Sequence, residues 1–214
     1  MSARAEFVAV IGAPGSGKSL YIKSRLARLK PRRLLIWDAM AEYGAHAERV
    51  GELASLVKLT EAQNFRARYV CSNVPARRAL QFEAFCVLAY RRGGLVLVVD
   101  EMGDVTTATP SLVPAGWSVV CRKGRHRGLS VIGGVQRPAL VDKNFFSFAT
   151  LIHCGRLNYA DDVRTMDNVL GLAGRSVGEL LPLAWIERDM TTGKTRAGVI
   201  AAPGRQKKDS LPLP

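Results

Sequence analysis

The feature that most constrains the fold of this chain is a glycine-rich octapeptide near its beginning, from Gly12 to Ser19. It matches the pattern G-x-x-x-x-G-K-[ST], follows the apolar run 7–11 and precedes an amphipathic segment, 20–29. A buried strand, a glycine turn and a helix N-terminus together present backbone N–H groups to phosphate oxygens. The sequence therefore predicts a P-loop, the turn that binds nucleotide phosphates.

The residue types within this turn have distinct expected roles. Glycine lets the backbone approach phosphate without a Cβ clash. Lys18 is expected to reach the β- and γ-phosphates of ATP, and the Ser19 hydroxyl to bind Mg²⁺. The predicted nucleotide-binding residues are Gly12, Ala13, Pro14, Gly15, Ser16, Gly17, Lys18, Ser19 and Leu20. A second Gly-Lys-Thr, at 193–195, lacks the glycine four residues earlier and is interpreted as a turn.

Short apolar runs alternate with amphipathic segments along the chain. Most of the runs are solidly apolar, which is typical of strands buried on both faces of a parallel sheet. The predicted strands are 7–11, 34–37, 67–71, 95–99, 129–135 and 149–154, and the predicted helices are 20–29, 50–56, 79–90 and 160–170. This alternation predicts an α/β fold with a mostly parallel central sheet flanked by helices.

The C-terminal part of the sequence has a different pattern. Two strand-like runs surround a Thr-Gly turn, which predicts an antiparallel hairpin over about 182–201. The last twelve residues, 203–214, contain three prolines and three basic residues and are predicted to form a flexible tail. We therefore expect one domain over 1–202 followed by this tail.

Two adjacent acids follow the apolar run 95–99 directly, Asp100 and Glu101. A carboxylate at the end of a strand beside a P-loop is placed to hold Mg²⁺, the role expected of Asp100. Glu101 is expected to accept a proton from the attacking water or to orient it. The alternative is that the two acids cap the next helix. The D-x-x-G pattern at 100–103 also occurs in GTPases, but no Asn in the chain precedes Lys, so the guanine-reading N-K-x-D is absent.

A polar residue, Gln136, ends the run 129–135, and a basic cluster precedes that run. Ligands of parallel sheets bind at the carboxyl ends of the strands, so Gln136 is expected to sense the γ-phosphate or orient water. Arg125 and Arg127 lie a full strand length away, too far to serve their own nucleotide. They are candidates for an arginine finger acting on a neighbouring subunit, or for contacts to DNA phosphates. The alternative is a solvated basic turn.

Charge is the unusual part of the composition. The chain has 31 Lys and Arg against 18 Asp and Glu, a formal net charge of +13. Such an excess favours a polyanionic partner, of which nucleic acid is the most frequent, with an acidic protein as the alternative. We expect DNA contacts at loop residues Arg91, Arg92, Arg122 and Lys123.

Several classes of protein are disfavoured by composition. The chain is 48% apolar and 23% charged, the mixture of a folded protein rather than a disordered one. It contains no run of the ~20 apolar residues that span a bilayer, and no signal peptide is recognisable. The four cysteines are widely separated, which favours reduced, buried thiols over a disulfide framework or a zinc site. We therefore expect a soluble protein of the host cytoplasm or a virion.

Four segments in this order resemble the FtsK–HerA superfamily of hexameric DNA-translocating ATPases. They are VIGAPGSGKS, LLIWDAMAEYG, LVLVVDE and RHRGLSVIGGVQRP. In that family the second strand commonly ends in an acid followed by Glu-Tyr, matched here by Asp38, Glu42 and Tyr43. Asp161-Asp162-Val163-Arg164-Thr165 is similar to a downstream Ser-Arg-Thr-type segment, which makes Arg164 a competing candidate for the arginine finger.

The resemblance covers about residues 7–171 and implies a RecA-like core. It further implies a ring, expected to be hexameric, with ATP and Mg²⁺ at subunit interfaces and double-stranded DNA in the channel. The bare core looks like the genome-packaging ATPases of viruses and phages with an internal membrane, which would dock on capsid or vertex proteins. The alternatives are the translocase core of a plasmid or mobile element, a P-loop kinase for a small acceptor, and a non-catalytic nucleic-acid-binding or virion protein.

Overall fold

The computed structural model of the protein describes residues 5–200. Strands and helices alternate along most of the chain, as expected. The strands are β1 (Phe7–Ile11), β2 (Arg33–Trp37), β3 (Glu48–Val50), β4 (Phe65–Tyr69), β5 (Val96–Val99), β6 (Ser130–Val135), β7 (Leu151–Gly155), β8 (Ala184–Asp189) and β9 (Thr195–Val199). The helices are α1 (Lys18–Leu29), α2 (Leu53–Leu59), α3 (Pro75–Arg92), α4 (Ala115–Lys123), α5 (Lys143–Phe148) and α6 (Ala160–Leu170).

These strands form one nine-stranded sheet in the order β3-β4-β2-β5-β6-β1-β7-β8-β9. Pairing is parallel from β3 through β7 and antiparallel between β7, β8 and β9. The predicted α/β class, with a mostly parallel sheet and a C-terminal hairpin, is confirmed. The predicted tail 203–214 lies outside the described residues.

The strand order decides which loops meet. All parallel strands end at one edge of the sheet, called here the carboxyl edge, and begin at the opposite, amino edge. β6 lies between β1, which leads into the P-loop, and β5, which leads into Asp100. The P-loop, the two acids and Gln136 therefore converge at neighbouring positions on the carboxyl edge.

The core explains why the apolar runs are continuous. Every residue of β1 is buried, because β1 has helices on both sides of the sheet and partners on both edges. A larger cluster around Trp37, Phe82, Phe85 and Trp117 packs under α3 and α4. Among residues 5–200, no helix is long and apolar enough to cross a membrane.

Three local predictions were wrong. Val50 belongs to the short strand β3, and the helix predicted over 50–56 spans 53–59 instead. Helices α4 and α5 were not predicted at all. Arg91, Arg92, Arg122 and Lys123, expected on loops, lie in the last turns of α3 and α4. Each of these helix ends still faces the amino edge, because crossover helices run antiparallel to the strands.

Candidate nucleotide-binding site

The P-loop turn is fixed at its start by the two strands that flank β1. The Gly12 N–H donates to the Val135 carbonyl of β6 at 3.1 Å, and the Ala13 N–H donates to the Arg156 carbonyl beyond β7 at 2.9 Å. A Cβ on Gly12 would overlap the Ser16 side chain, so the turn closes only with glycine there. The backbone then reverses through left-handed conformations at Gly15 and Gly17.

The nine predicted nucleotide-binding residues, 12–20, all lie in this turn and in the first residues of α1. Helix α1 begins at Lys18, so the N–H groups of its first turn have no intrahelical acceptors and point at the mouth of the turn. The half-buried Lys18 and Ser19 stand at the same helix end. Such an arrangement of N–H donors, a helix dipole and an ammonium group suits a polyphosphate.

The acid pair lies at the end of β5. Asp100 is 5% exposed, and a Cβ on Gly134 of β6 would approach its Oδ1 to 3.0 Å, so glycine lets the carboxylate sit against the strand. Burial raises the pKa of Asp100 to about 6, while the charge of Lys18 opposes the shift. A buried carboxylate and the Ser19 hydroxyl are oxygen donors of the kind Mg²⁺ prefers. These two residues fit a magnesium ion shared with nucleotide phosphates.

Glu101 is brought together with Gln136. The Gln136 N–H donates to Oε1 of Glu101 at 3.4 Å. Glu101 has a left-handed backbone, φ 58°, which is strained for a residue with a Cβ and directs this side chain away from the course of β5. Burial raises the pKa of Glu101, and Lys18 lowers it. The four expected reactive groups, Lys18, Asp100, Glu101 and Gln136, thus form one cluster.

The three candidate arginine fingers lie in two different places. Arg125 and Arg127 are in a 3₁₀ turn at the amino edge. Arg127 donates to the Arg91 carbonyl at 2.8 Å and to the Tyr90 carbonyl at 3.4 Å, and Arg125 donates to the Phe148 carbonyl. Both guanidinium groups therefore bind backbone of their own chain.

Arg164 is placed differently. It lies in the first half of α6, the helix that starts at the carboxyl edge after β7. Its side chain is 74% exposed and forms a 3.5 Å ion pair with Asp161, which is equally exposed. An ion pair of this kind is weak and exchanges readily for a stronger anion.

A buried carboxylate, Asp38, holds the loop after β2. Asp38 is fully buried and accepts the N–H groups of Glu42 and Tyr43, at 2.9 and 3.2 Å, and a guanidinium N–H of Arg68 at 3.0 Å. Burial raises the pKa of Tyr43, and the negative charge of Asp100 raises it further. Asp38 therefore places the Tyr43 ring near the acid pair. The family resemblance of the sequence pointed to Asp38, Glu42 and Tyr43, but not to Arg68.

Other functional candidates were missed by the sequence analysis. Arg137, directly after Gln136, donates to the buried Asp162 at 2.6 Å and lies 3.9 Å over the Tyr159 ring. This contact joins the end of β6 to α6. Arg156, beside the P-loop, is exposed. Its only signal in the sequence is its position directly after the strand β7.

No protein-family profile matches this chain. It is 32% identical to protein P9 of Pseudoalteromonas phage PM2 over 175 residues. This aligned region covers 80% of this chain and 78% of P9. The chain belongs to the family of phage PM2 protein P9. The resemblance of its sequence to the viral genome-packaging ATPases of the FtsK–HerA superfamily is matched by the solved structures with which the chain shares its fold.

Solved structures share the fold at lower sequence identity. The genome-packaging NTPase B204 of Sulfolobus turreted icosahedral virus 2, in complex with ATPγS, matches with a TM-score of 0.71 and 18% identity over 92% of this chain and 98% of B204. ATPases 2 and 3 of EssC from Geobacillus thermodenitrificans match with a TM-score of 0.57 and 11% identity, over 97% of this chain and 41% of EssC. These matches confirm the predicted P-loop NTPase fold of this chain.

Proposed function

We propose that this chain is the genome-packaging ATPase of a virus or phage, hydrolysing ATP to drive double-stranded DNA into a capsid. The observation that carries the proposal is the cluster of Lys18, Asp100, Glu101 and Gln136 at the carboxyl edge of this fold. The relationship to a phage protein and the fold shared with a viral packaging NTPase support it.

The chemistry follows from these residues. Lys18 and the α1 N-terminus bind the β- and γ-phosphates. Ser19 and Asp100 would hold Mg²⁺, which would neutralise phosphate charge when bound. Glu101, with a raised pKa, accepts the proton of the attacking water, and Gln136 positions that water. The remaining negative charge on the γ-phosphate is stabilised by an arginine of the next subunit in a ring. Of the three candidates, Arg164 is the one that lies at the carboxyl edge, where the nucleotide binds, and its side chain is 74% exposed.

The basic residues of the amino edge support DNA as the partner. Exposed cations occur at the starts of β4 and β2, at the ends of α1 and α3, and at the end of α4, which leads into β6. They are Arg28, Lys30, Arg32, Arg66, Arg91, Arg122 and Lys123. Because β4, β2, β5 and β6 are adjacent, this row extends over three interstrand spacings, about 15 Å, a width comparable to a DNA groove. Part of this charge also complements the helix C-termini.

The test of the activity is ATP hydrolysis measured with and without double-stranded DNA, together with the mass of the assembly. We expect DNA-stimulated turnover by a ring, and no turnover in Lys18→Ala. Glu101→Gln keeps the size of the side chain and removes its base, so ATP should bind while hydrolysis falls roughly 10²–10⁴-fold. Phosphoryl transfer to a small acceptor without DNA stimulation would instead identify a kinase, and ATP binding without turnover would identify a non-catalytic protein.

The DNA surface is tested by the salt dependence of affinity. Arg91→Ala should weaken binding equally on all sequences and reduce the slope of log affinity against log salt by about one unit. Arg77→Ala is the matched control, because Arg77 is an exposed arginine at the start of α3, on the carboxyl edge. Equal losses in both variants, or strong preference for one short sequence, would contradict the amino-edge surface.

The arginine finger is tested by mixing inactive variants. Arg164→Ala mixed with Lys18→Ala creates some interfaces that pair an intact Arg164 with an intact P-loop. Partial return of ATPase activity supports action across the interface. Full activity in Arg164→Ala alone would return the assignment to Arg125 or Arg127.

A further inference from the structure

The turn that follows β6 is held by a carboxylate from another element. β6 ends at Val135, and the next N–H, that of Gln136, donates to the side chain of Glu101 rather than to the backbone of a neighbouring strand. Three residues later, the Ala139 N–H donates to Oδ1 of Asp162 at 2.8 Å. Asp162 lies in the first turn of α6, so a helix, and not a loop, determines its position.

Arg137 completes the attachment of this turn to α6. Its Nε donates to Oδ2 of Asp162 at 2.6 Å, so both oxygens of one carboxylate bind the segment 137–139. Between the two attachment points lies Pro138, which fixes its own φ and favours extended backbone at Arg137. The guanidinium also lies 3.9 Å from the Tyr159 ring centroid. The backbone directly after Gln136 is therefore fixed by charge, by hydrogen bonds and by proline.

Burial makes Asp162 dependent on Arg137. The side chain of Asp162 is 1% exposed, whereas that of Arg137 is 41% exposed. An ionised carboxylate removed from water needs a cation and hydrogen bonds to compensate for lost hydration. Loss of Arg137 would leave this carboxylate with a backbone N–H and no cation. The turn after β6 would then lose its fixed position on α6.

The pair borders the nucleotide site. A cavity of about 430 Å³ is lined by Gln136, Arg137 and Asp162 and by residues 13–14 of the P-loop. Gln136 thus stands between two attachments, its own N–H bond to Glu101 and the bond from Arg137 to Asp162. A shift of the turn would move the Gln136 amide relative to Glu101.

We propose that Arg137, anchored on Asp162, is a positioning residue that holds Gln136 in place beside Glu101 and the attacking water. The assignment rests on the proposed ATPase function and adds a residue that acts through Gln136 rather than on the substrate. Displacing a group that orients a reactant by about 1 Å can lower a rate roughly a hundredfold. Loss of Arg137 should therefore slow hydrolysis while the P-loop continues to bind ATP.

The experiment measures the kcat of ATP hydrolysis with saturating double-stranded DNA and the Kd of ATP, using the full chain well below its unfolding temperature. Arg137→Ala should lower kcat roughly ten- to a hundredfold and leave the Kd unchanged. Arg137→Lys should recover most of this loss, because lysine keeps a cation beside the buried carboxylate. Arg25→Ala is the control for lost stability, since Arg25 forms an ion pair with Glu6 at the amino edge, and both constants should stay at wild-type values.

A second variant keeps the test valid if Arg137→Ala does not fold. Asp162→Asn retains an acceptor for the Ala139 N–H and removes the charge that binds Arg137. It should lower kcat as much as Arg137→Ala and likewise spare the Kd of ATP. Wild-type kcat in folded Asp162→Asn would contradict the proposal.

Gln136→Ala decides whether Arg137 acts through Gln136. If it does, adding Arg137→Ala to Gln136→Ala should lower kcat no further. Equal fold-losses in both backgrounds would show that Arg137 affects catalysis by another route. Unchanged kcat in Arg137→Ala with a lower unfolding midpoint would make Arg137 purely structural, and a raised Kd of ATP would make it a nucleotide ligand.

Each of those three results overturns the positioning role and leaves the ATPase function intact. Failure of the proposed function has a different signature. A wild-type protein without ATP turnover would reject the ATPase function, and the role of Arg137 with it.

Discussion

Replacing Arg127 with alanine should destabilise the protein, independently of any effect on catalysis. The Arg127 guanidinium donates to the carbonyls of Tyr90 and Arg91 in the last turn of α3 and lies 5.9 Å from the Tyr90 ring centroid. The last four carbonyls of a helix have no intrahelical donor. A cation there also interacts favourably with the negative end of the helix dipole. The structure therefore gives Arg127 a role in ending α3.

The magnitude follows from these contacts. A hydrogen bond to a charged donor contributes about 1.5–3 kcal/mol, and the exposure of Arg127 favours the lower part of that range for the two bonds together. Adding a few tenths for the dipole and ring contacts gives a loss of about 1.5–3 kcal/mol. For a chain of this size that lowers the Tm by roughly 3–12 °C. Arg164→Ala removes only an exposed ion pair and should cost less than about 0.5 kcal/mol.

The assay is urea unfolding of both variants, followed by circular dichroism without nucleotide. Arg127→Ala should shift the midpoint to lower urea with an unchanged m-value, and Arg164→Ala should match the wild type. Arg127→Lys should lie between, since lysine keeps the charge and loses the fork of donors. A wild-type midpoint for Arg127→Ala would refute the capping role. Loss of ATPase activity in a destabilised Arg127→Ala would not by itself identify an arginine finger.

Three further predictions rest on buried ionisable groups. Protonated Asp100 is a poor Mg²⁺ ligand, and the pKa of Asp100 is about 6. Magnesium titrations in the presence of nucleotide should therefore show that the affinity for Mg²⁺ falls up to tenfold per pH unit below pH 6. A constant affinity from pH 5 to 8 would contradict this. Asp38→Asn should cost about 2–4 kcal/mol in urea unfolding, because the Arg68 charge loses its buried partner. Burial alone would raise the pKa of Glu187, but the hydrogen bond from His153 helps to lower it to about 2. Ionised Glu187 therefore stabilises the fold fully above its unfolded pKa, and this stabilisation disappears as the pH falls toward 2. Glu187→Gln should accordingly make the free energy of unfolding depend less on pH on the acid side.

Continuous apolar runs made most of the sheet predictable. β1, β2, β5, β6 and β7 are short strands buried on both faces, and such strands carry their own signal in sequence. The pairing order carries no comparable local signal. The structure shows that β6 lies between β1 and β5. This position places Gln136 between the P-loop and the two acids.

Helix α4 shows why other elements escaped prediction. It starts after Pro114 without a side-chain cap and contains Gly116, a poor helix former. The helix exists because it packs closely on α3: a Cβ at Gly116 would approach the Glu83 carbonyl to 2.9 Å. The Gly116 N–H in turn donates to the Glu83 carboxylate at 2.8 Å. These contacts are tertiary, and the sequence of residues 115–123 alone does not predict them.

The same limit applies to the site. The P-loop and the acid pair are motifs, in which adjacent residues act together, so their roles could be predicted from spacing. The roles of Arg125, Arg127 and Arg164 depend on what each guanidinium binds, and the sequence alone does not show those partners. The backbone contacts of Arg125 and Arg127 distinguish these two arginines from Arg164, whose side chain is exposed and paired with an exposed carboxylate.

The two proposed surfaces lie at opposite edges of one sheet, which restricts how DNA can stimulate hydrolysis. β6 connects the basic turn to Gln136, and its six residues span roughly 20 Å. DNA on the amino edge therefore cannot touch the γ-phosphate bound by the same subunit. Stimulation must act through a change in the subunit or through the arginine of a neighbour. If it acts on ATP affinity, linkage requires bound ATP to change the affinity for DNA by the same factor. Glu101→Gln, which should bind ATP without hydrolysing it, allows both affinities to be measured at equilibrium. If DNA leaves the affinity for ATP unchanged and ATP leaves the affinity for DNA unchanged, DNA acts on the chemical step alone.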